Sequence, residues 1–514
     1  MHRRKTRPAM VRLGKNPEHD PTRRSTCVIG AGLGGLALAI RLQAGGVATT
    51  LVEARGEPGG CLRRWRRDGF TFEEGPSLLA DPAPLRELWS LTGEDLGDAV
   101  TFAEVTPACR YSWTDGAQFD AGSGEAELAR QLARLAPGDI AGFEEFARWA
   151  AAARIDGWQR LGESALHSPA AAARALPALV RSQGWRSAWG LTGHYVKERH
   201  LREALAFPVL QAGGNPLATS ALHLLGQPLA SGTGGWWPRG GMVALAEAMA
   251  ARFEQLGGTL RLHDPVVRLH AVGNRIAEVE TQSGWRAHFD AVASNADAMH
   301  TYRDLLRDLP RGAQQARRLA RRDYSPSAFS VHFALEGTWP GIPHQSVLFG
   351  PRFGELIADL FDHGVLPQDF VLTLHHPSLT DPDLAPQGKS VFRATIPVAH
   401  LGKLPIDWET VAPLIEQRIL DEIGRRLIPD IRDRVITSFV TTPRDLALEL
   451  NYHMGSAWSL AASALQSGPL RLAHRDRKLA NLYLVGAATH PGAGLAAVLA
   501  GAKAASLQLL EELS

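Results

Sequence analysis

The sequence predicts an α/β fold in which a doubly wound parallel sheet is joined to a second region of mixed sheet and helix. The first observation is a short apolar run, residues 27–29, that leads into glycines at GxGxxG spacing. The second is an Ala/Leu-rich helical pattern followed by another apolar run that ends in Glu53. The third is a similar succession of strand, glycine loop and helix near the C-terminus, over residues 481–513. Repeated strand–loop–helix units of this kind build parallel sheets.

The first glycine loop has the features of a dinucleotide site. Gly30 allows a sharp turn out of the strand, Gly32 lets a pyrophosphate approach the backbone, and Gly35 lets the helix pack closely on the strand. The N–H groups at the start of that helix then face the phosphates. Glu53, 18 positions after Gly35, is placed to accept hydrogen bonds from a ribose diol.

Two further glycine clusters indicate a cofactor longer than a nicotinamide nucleotide. Gly59 and Gly60 follow the acid closely, where a nicotinamide site needs no second glycine pair. Near the C-terminus, the loop at 486–494 leads into a second helix whose N-terminus can face a cofactor. A cofactor contacted from both ends of the chain suits FAD, because its flavin lies far from its adenine. We therefore expect a Rossmann-like FAD-binding domain.

The other helices and strands are predicted from the periodicity of apolar residues and from the positions of glycine and proline. The patterns predict antiparallel strands over 100–119, a mainly helical region over 124–205, a loop around 232–241 and a β-meander over 259–289. Further helices are predicted at 82–92, 242–256, 300–322 and 408–427. Strands of a second sheet are predicted at 327–335, 346–349, 371–375 and 390–397, with a short strand at 439–442.

Composition narrows the class of protein. The chain has 514 residues and a net charge of +2, so nothing indicates a nucleic-acid partner. Three widely spaced cysteines, Cys27, Cys61 and Cys109, indicate a reducing compartment, and neither they nor the scattered histidines form a metal-ligand pattern. Residues 1–24 are basic and predict a disordered extension or an upstream start before Met10; a basic arm attracted to anionic lipid is the alternative. No apolar run is long enough to span a membrane.

Several longer motifs give the chain a specific resemblance. They include VIGAGLGGLALAIRLQAGG, the GF-TF-x-x-GP turn at 69–76, GGNPLATS, WPRGG, ASNADAMHTYRDLL, LAPQG and LYLVGAATHPGAG. Together these blocks resemble the bacterial and fungal phytoene desaturase family of carotenoid biosynthesis over almost the whole chain. The resemblance implies a flavin amine-oxidase-like fold, an FAD cofactor, and removal of hydrogen from allylic carbons of a long polyene held in an apolar tunnel.

The resemblance also implies roles for individual residues. The pyrophosphate is expected at the first glycine loop, the adenosine ribose at Glu53 with Arg55 nearby, the adenine at the backbone of Val266, and the flavin between the two later glycine clusters. The cofactor-binding residues that it implies are Gly30, Ala31, Gly32, Leu33, Gly34, Gly35, Glu53, Ala54, Arg55, Gly59, Gly60, Cys61, Val266, Gly486, Ala487, Gly494 and Leu495.

Three short stretches near the expected flavin depart from the family pattern. Cys61 stands where relatives have an arginine after the Gly-Gly pair, and Glu73-Glu74 stands where they have Asp-Ala. After the C-terminal glycine block, relatives usually read Ile-Pro-Gly-Val, but this chain reads LAAV at 495–498. These changes leave open whether phytoene itself is the substrate.

The resemblance and the helical pattern together suggest an organisation of the chain. We expect an FAD-binding domain from residues 25–100, 233–298 and 472–514, and a substrate-binding domain from 101–232 and 299–471. A helical insert at about 140–210 is expected to contact a membrane surface, because a polyene dissolves only in bilayers. The expected location is therefore cytoplasmic, at the inner face of the cell membrane, and a homo-oligomer on the membrane is left open.

The expected chemistry is dehydrogenation of a phytoene-like carotenoid toward lycopene or intermediates. Such a substrate has no polar group, so catalysis rests on orienting a C–H bond against the flavin and excluding water. The sequence identifies no general base: His490 is expected to shape its turn, Lys503 to lie on a helix surface, and Arg239 to contact FAD or a carboxylate. The alternatives are another carotenoid-acting flavoenzyme (isomerase, end-group desaturase or oxygenase) and a non-catalytic isoprenoid-binding protein.

Overall fold

The structure, a computed structural model, describes residues 24–154, 162–163, 169–226 and 234–514. The predicted extension therefore lies outside the described residues apart from its last residue, as do two stretches of the predicted helical insert. Within the described residues, no helix combines the length and apolar character needed to cross a bilayer.

Nineteen strands are assigned in the described part of the chain. They are β1 Ser25–Ile29, β2 Ala48–Val52, β3 Arg63–Arg67, β4 Phe70–Glu74, β5 Phe102–Val105, β6 Cys109–Ser112, β7 Gln118–Ala121, β8 Gly235–Pro238, β9 Thr259–Arg261, β10 Val266–Val272, β11 Arg275–Thr281, β12 Arg286–Ala287, β13 Ala291–Ser294, β14 Ser327–Glu336, β15 Gln345–Leu348, β16 Leu372–His375, β17 Lys389–Val398, β18 Val435–Thr441 and β19 Leu482–Leu484.

The α-helices are numbered in the same way. They are α1 Leu33–Ala44, α2 Ala83–Ser90, α3 Leu96–Ala99, α4 Glu125–Leu135, α5 Ile140–Ala153, α6 Pro169–Arg181, α7 Ala188–Tyr195, α8 Arg199–Gln211, α9 Met242–Gln255, α10 Ala298–His300, α11 Pro310–Leu319, α12 Phe353–Ala358, α13 Pro377–Thr380, α14 Trp408–Arg426, α15 Ile431–Arg434, α16 Pro443–Glu449 and α17 Leu495–Leu513. Short 3-10 or π turns lie at Pro137–Asp139, Ala221–Gly226, Thr301–Leu305, Asp359–His363, Pro382–Leu384, His453–Gly455, Ala464–Gln466 and Gly468–Leu470.

A five-stranded parallel sheet unites the two ends of the chain. Its order is β19-β13-β1-β2-β9, so the strand order reverses between β1 and β13. The buried strands and the Ala/Leu-rich helices α1, α9 and α17 pack into one apolar core. In an open parallel sheet, ligands bind at the carboxyl ends of the strands where the order reverses. The crevice at the ends of β1 and β13 is therefore the expected ligand position.

A second, seven-stranded mixed sheet packs against the long helix α14. Its order is β18-β14-β17-β16-β15-β6-β7, antiparallel except between β15 and β6. One face packs against the long helix α14 through residues such as Phe329, Val331 and Ile419. Ser330 and His332, which alternate with these residues along β14, point to the opposite face and contact Glu74 of the β3–β4 hairpin. The hairpin therefore joins the first glycine region to the second sheet.

The α/β fold class is confirmed, but several elements differ from the prediction. Residues 235–238, predicted as loop, form β8 and pair with β5. The start of the predicted meander, β9, instead pairs in parallel with β2, which leaves β10–β12 as the meander. The predicted helix at 300–322 is interrupted before Pro310, which begins α11, because proline cannot continue the preceding helical hydrogen bonds. The short strand at 439–442 is the end of the longer β18.

Candidate active site

The first glycine loop is shaped by contacts that exclude side chains. Gly30 has φ +93°, and a Cβ on Gly35 would lie 2.1 Å from the Gly30 carbonyl oxygen. The helix can therefore approach the strand this closely only with glycine at position 35. Gly32 caps α1, and the N–H groups of Leu33 and Gly34 lie in its first turn. This is the cradle that the spacing predicted for a pyrophosphate.

Glu53 lies at the end of β2 and is tied to the same loop. One carboxylate oxygen accepts a hydrogen bond from the Ala31 N–H at 2.6 Å, and the other accepts from the Arg55 N–H at 2.9 Å. Its backbone N–H donates to Arg261 of β9 and its carbonyl accepts from Asp264. Glu53 is thus buried and fixed in place beside the glycine loop. Contact between the Glu53 carboxylate and a ribose stays a prediction.

The Gly59–Gly60 pair folds back onto the first loop. The Gly59 N–H donates to the Ala31 carbonyl at 2.8 Å, and a Cβ on Gly60 would lie 2.9 Å from the Gly32 Cα. The Arg55 guanidinium donates to the Gly60 carbonyl at 2.6 Å. The structure therefore brings three separate parts of the predicted site together, with Ala54 and Cys61 exposed at their edges.

Asn295, at the carboxyl end of β13, lies in the middle of the crevice. Its side-chain amide would meet a Cβ on Gly32, Gly34 or Gly486 at 2.7–2.8 Å. Its role could not be predicted from the sequence, because only the pairing of β13 with β1 brings it to the first glycine loop. An amide side chain surrounded by glycine backbone is a suitable donor and acceptor for phosphate and sugar oxygens.

The C-terminal loop closes the other side of the crevice. Gly486 has φ +104° and approaches Gly34 to 3.6 Å, measured from its Cα to a Cβ built there. Gly494 caps the N-terminus of α17 with φ +99°, and nothing lies within 4 Å of a Cβ built on it, so there is open space beside the first turn of the helix. The buried Arg471 donates to the carbonyls of Ala487 and Thr489 and holds this loop.

Val266 is placed close to the acid, as the predicted adenine contact requires. It begins β10, two residues after Asp264, whose N–H donates to the Glu53 carbonyl at 3.0 Å. A backbone loop lined by glycines and a fixed carboxylate at the strand ends fit the two phosphates and the adenosine ribose of FAD. The adenine contact itself stays a prediction.

Arg239, Lys503 and His490 are the other residues that the sequence raises as candidates for a role in the site. Arg239 donates to the Thr380 carbonyl at 2.7 Å, and Lys503 pairs with Glu163 at 2.8 Å. His490 is buried in the C-terminal loop. The partner of Lys503 agrees with the surface role expected for it, and the Arg239 guanidinium lies 3.8 Å from the Asp381 carboxylate, one of the two contacts expected for it.

A charged cluster lies where the β3–β4 hairpin packs on β14 of the second sheet. Glu74, at the end of β4, contacts His332 at 3.2 Å and has the Arg63 guanidinium at 3.7 Å. Arg393 donates to the carbonyls of Glu73 and Gly75 and fixes the turn that carries this acid. His332, Arg393 and Arg63 together lower the pKa of Glu74 to about 2, against the effect of burial. Sequence reasoning missed this cluster, since its members come from distant parts of the chain.

Replacing Glu74 with glutamine is expected to destabilise the fold by about 3 kcal/mol at neutral pH. The folded-state pKa lies below the ordinary value of 4.5, so this stabilisation is present above pH 4.5. It is lost as the pH falls toward about 2, where Glu74 becomes protonated in the folded state too. Urea unfolding of both proteins across this range measures the difference.

Glu336→Gln is the matched control, because Glu336 is exposed and pairs with Lys389 on the same sheet. Its free energy of unfolding should differ from wild type by less than about 1 kcal/mol at any of these pH values. A Glu74→Gln deficit that stayed constant with pH would show that the carboxylate charge is not what stabilises the cluster.

The parallel sheet with its crevice, joined to a mixed second sheet, is the arrangement expected of a flavin-dependent oxidoreductase. Residues 33–507 match the family model described as flavin containing amine oxidoreductase. The chain is 40% identical to the lycopene-forming phytoene desaturase of Paracoccus sp. (strain N81106 / MBIC 01143), over 96% of this chain and 99% of the relative. It is 40% identical to that of Pantoea ananas, over 95% and 100%, and 34% identical to the neurosporene-forming enzyme of Cereibacter sphaeroides, over 93% and 92%.

Among solved structures, putrescine oxidase (A394C mutant) resembles this fold with a TM-score of 0.63 at 16% identity, over 96% of this chain and 98% of that chain. The chain belongs to the flavin-containing amine oxidoreductase family and, within it, to the phytoene desaturases. The predicted family, the oxidoreductase class and the FAD cofactor are thereby confirmed.

Proposed function

We propose that the protein dehydrogenates phytoene toward lycopene or its intermediates. The observation that carries the proposal is identity of 40%, spread over nearly the full length of lycopene-forming relatives, together with an intact glycine cradle. Bound FAD supplies a two-electron acceptor for hydride. The residues proposed to hold it are those of the three glycine clusters, Glu53 and Asn295. The protein contributes orientation of the hydrocarbon and exclusion of water.

Co-expression in cells that accumulate phytoene tests this proposal. We expect loss of phytoene and formation of a red polyene whose absorption identifies the number of new double bonds. A second candidate is another carotenoid-acting flavoenzyme of the family, an isomerase, end-group desaturase or oxygenase. The charged cluster around Glu74, where relatives have alanine, is the observation that favours it. Unchanged phytoene, with consumption of a coloured carotenoid supplied instead, would establish that alternative.

The domain organisation stays part of the proposal. We assign FAD binding to residues 25–100, 233–298 and 472–514, and substrate binding to 101–232 and 299–471. The five-stranded sheet draws all its strands from the first set, and the seven-stranded sheet draws all its strands from the second. This separation supports the assignment, and the two sets meet where Glu74 contacts Ser330 and His332.

Membrane contact is proposed through the helical insert at about 140–210, at the inner face of the cell membrane. Three large apolar side chains there are more than half exposed: Leu176 and Val180 of α6 at 56% and 61%, and Trp185 at 65%. Leu176 and Val180 are four residues apart and share a helix face. An exposed apolar face with a tryptophan suits the interface of a bilayer. The membrane would deliver the polyene, and any homo-oligomer would form on it.

Liposome flotation tests this contact. The wild-type protein should float with the vesicles, and a variant with serine at 176, 180 and 185 should stay at the bottom of the gradient. Leu465→Ser is the matched control, because Leu465 is 78% exposed but lies far along the chain from the insert. Flotation of the triple variant at the wild-type level would refute the insert as the contact surface.

A further inference from the structure

A surface pocket that takes no part in the proposed reaction lies at the opposite end of the parallel sheet from the crevice. Its volume is about 380 Å³, within the range of small-molecule sites. Six of its lining residues belong to the turn at 473–480, which immediately precedes β19, and Asn274 and Gln508 complete it. Because the crevice lies at the carboxyl ends of the strands, a pocket at the start of β19 is separate from it.

Backbone contacts fix the shape of this pocket. Arg475 pairs with Tyr483 of β19 in an antiparallel bridge, and the Ala480 N–H donates to the Asn274 carbonyl at 2.8 Å. Gln508 lies near the C-terminus of α17, about 20 Å along the helix from the end that faces the crevice. The pocket is therefore built by separate parts of the chain and is distant from the glycine cradle.

Asp476, the acidic residue of this turn, is committed to partners inside the protein. One carboxylate oxygen accepts from the Arg311 guanidinium and from the Tyr302 hydroxyl, both at 2.7 Å. The other oxygen accepts from the N–H groups of Lys478 and Leu479 at 2.7 and 2.9 Å. The Asp476 side chain is 0% exposed, so its charge is balanced by Arg311 and does not face a ligand in the pocket.

The cations of the pocket, by contrast, are accessible. Arg477 and Lys478 are exposed, and neither side chain forms an ion pair with any residue that the structure describes. Arg475 is partly engaged, since its guanidinium pairs with Glu512 at 3.0 Å and donates to the Ala480 carbonyl at 3.0 Å. The pocket therefore carries two positive charges that the protein itself does not balance.

These groups match the chemistry of a phosphate. A guanidinium presents parallel N–H donors to phosphate oxygens, an ammonium binds as a point charge, and the two amides of the pocket can donate to further oxygens. Neighbouring cations on an open surface are simply solvated, but a concave protein wall focuses their positive potential on a bound anion. Concavity distinguishes Arg477 and Lys478 from the exposed Arg317 and Arg321 around the end of α11, which do not line this pocket.

We propose that this pocket binds the phosphate group of a soluble phosphorylated compound or of an anionic lipid, with Arg477 and Lys478 as its principal contacts. Both sources present the same negatively charged oxygens to the two cations. Arg475 adds a third contact to the extent that Glu512 releases it. Binding is reversible and does not depend on the carotenoid reaction, because the pocket and the crevice lie at opposite ends of the sheet.

Calorimetric titration of the FAD-loaded protein with inorganic pyrophosphate tests the soluble source. FAD is loaded first because an empty glycine cradle could itself bind pyrophosphate. Arg477→Gln combined with Lys478→Gln should weaken binding about 30-fold or more relative to wild type. Arg317→Gln combined with Arg321→Gln is the matched control, because it removes the same charge from exposed positions outside the pocket and should leave the affinity within about twofold. Melting temperature reports the fold of each variant.

Glu512→Gln provides a measurement in the opposite direction. Loss of this carboxylate frees Arg475 from its ion pair at the edge of the pocket, so pyrophosphate should bind about threefold more tightly. An affinity that stayed the same or fell in this variant would place the ligand away from Arg475 and overturn the pocket as its site.

Flotation with phosphatidylcholine vesicles, prepared with and without phosphatidic acid, tests the lipid source. If a lipid supplies the phosphate, phosphatidic acid should increase the floating fraction of the wild-type protein and of the control variant but not of the pocket variant. A response to either probe that only the pocket variant loses supports the proposal and identifies the source. Equal losses in the pocket and control variants, or no response of the wild-type protein to either probe, would overturn it and leave the proposed dehydrogenation untouched.

Discussion

Gly35→Ala should prevent accumulation of folded, flavin-containing protein. A methyl group there would lie 2.1 Å from the Gly30 carbonyl oxygen, and both atoms belong to backbone that the sheet and α1 hold in place. Relief requires separating the helix from the strand, which we expect to cost more than about 3 kcal/mol. Expression yield, melting temperature and bound-flavin absorbance measure the effect.

Gly32→Ala separates cofactor binding from folding in the same loop. Its Cβ would lie 2.7 Å from the Asn295 side-chain amide, which can rotate, and 3.7 Å from the nearest backbone atom. This variant should fold but lose the increase in melting temperature that FAD gives the wild-type protein. Gly354→Ala is the control, because nothing lies within 4 Å of its Cβ in helix α12. A Gly32→Ala protein that binds FAD at wild-type affinity would contradict the assigned cradle.

Arg471→Met is expected to destabilise the protein by about 4 kcal/mol and to weaken FAD binding. The guanidinium is buried and donates to the carbonyls of Leu460 at 3.1 Å, Ala487 at 2.6 Å and Thr489 at 3.0 Å. Removal leaves several buried carbonyls without a donor, each costing about 1–3 kcal/mol before relaxation. Burial lowers the pKa of Arg471 to about 10, so it stays charged at neutral pH.

Urea unfolding with Arg475→Met as control measures this effect. Arg475 is 39% exposed and pairs with Glu512, so its loss should cost less than about 1 kcal/mol. If Arg471→Met unfolded within 1 kcal/mol of wild type, the C-terminal loop would not depend on this clamp.

Local sequence determines much of the cofactor site. The contact between Gly35 and Gly30 and the position of Glu53 follow from one strand–helix–strand unit, so spacing alone predicts them. Asn295 could not be predicted from spacing, because it reaches the crevice only through the pairing of β13 with β1.

Long-range pairing also explains the errors in the fold. Residues 235–238 carry glycine, tryptophan and proline and have the composition of a loop, yet pairing with β5 makes them a strand. Likewise β9 has only three residues, too few for periodicity to distinguish an edge strand of the parallel sheet from the start of a meander. The Glu74–His332 pair depends on the β3–β4 hairpin packing on β14, which no local pattern encodes.

Cys61, which departs from the family pattern, has two arginines close to it in the chain. Cys61 is exposed where relatives carry an arginine, but Arg55 donates to the adjoining Gly60 carbonyl and Arg63 begins β3 two residues later. Arg55 therefore supplies a cationic side chain at the Gly60 loop, where the flavin is proposed to bind, although position 61 is a cysteine.

The central claim is that the glycine cradle holds FAD and that the bound FAD oxidises phytoene. Its most direct measurement mixes the purified, FAD-loaded protein with phytoene in liposomes without oxygen and records flavin and polyene spectra together. We predict bleaching of the flavin with formation of one new carbon–carbon double bond per flavin reduced, and appearance of a longer conjugated chromophore. A flavin that stays oxidised while phytoene remains unchanged would contradict it.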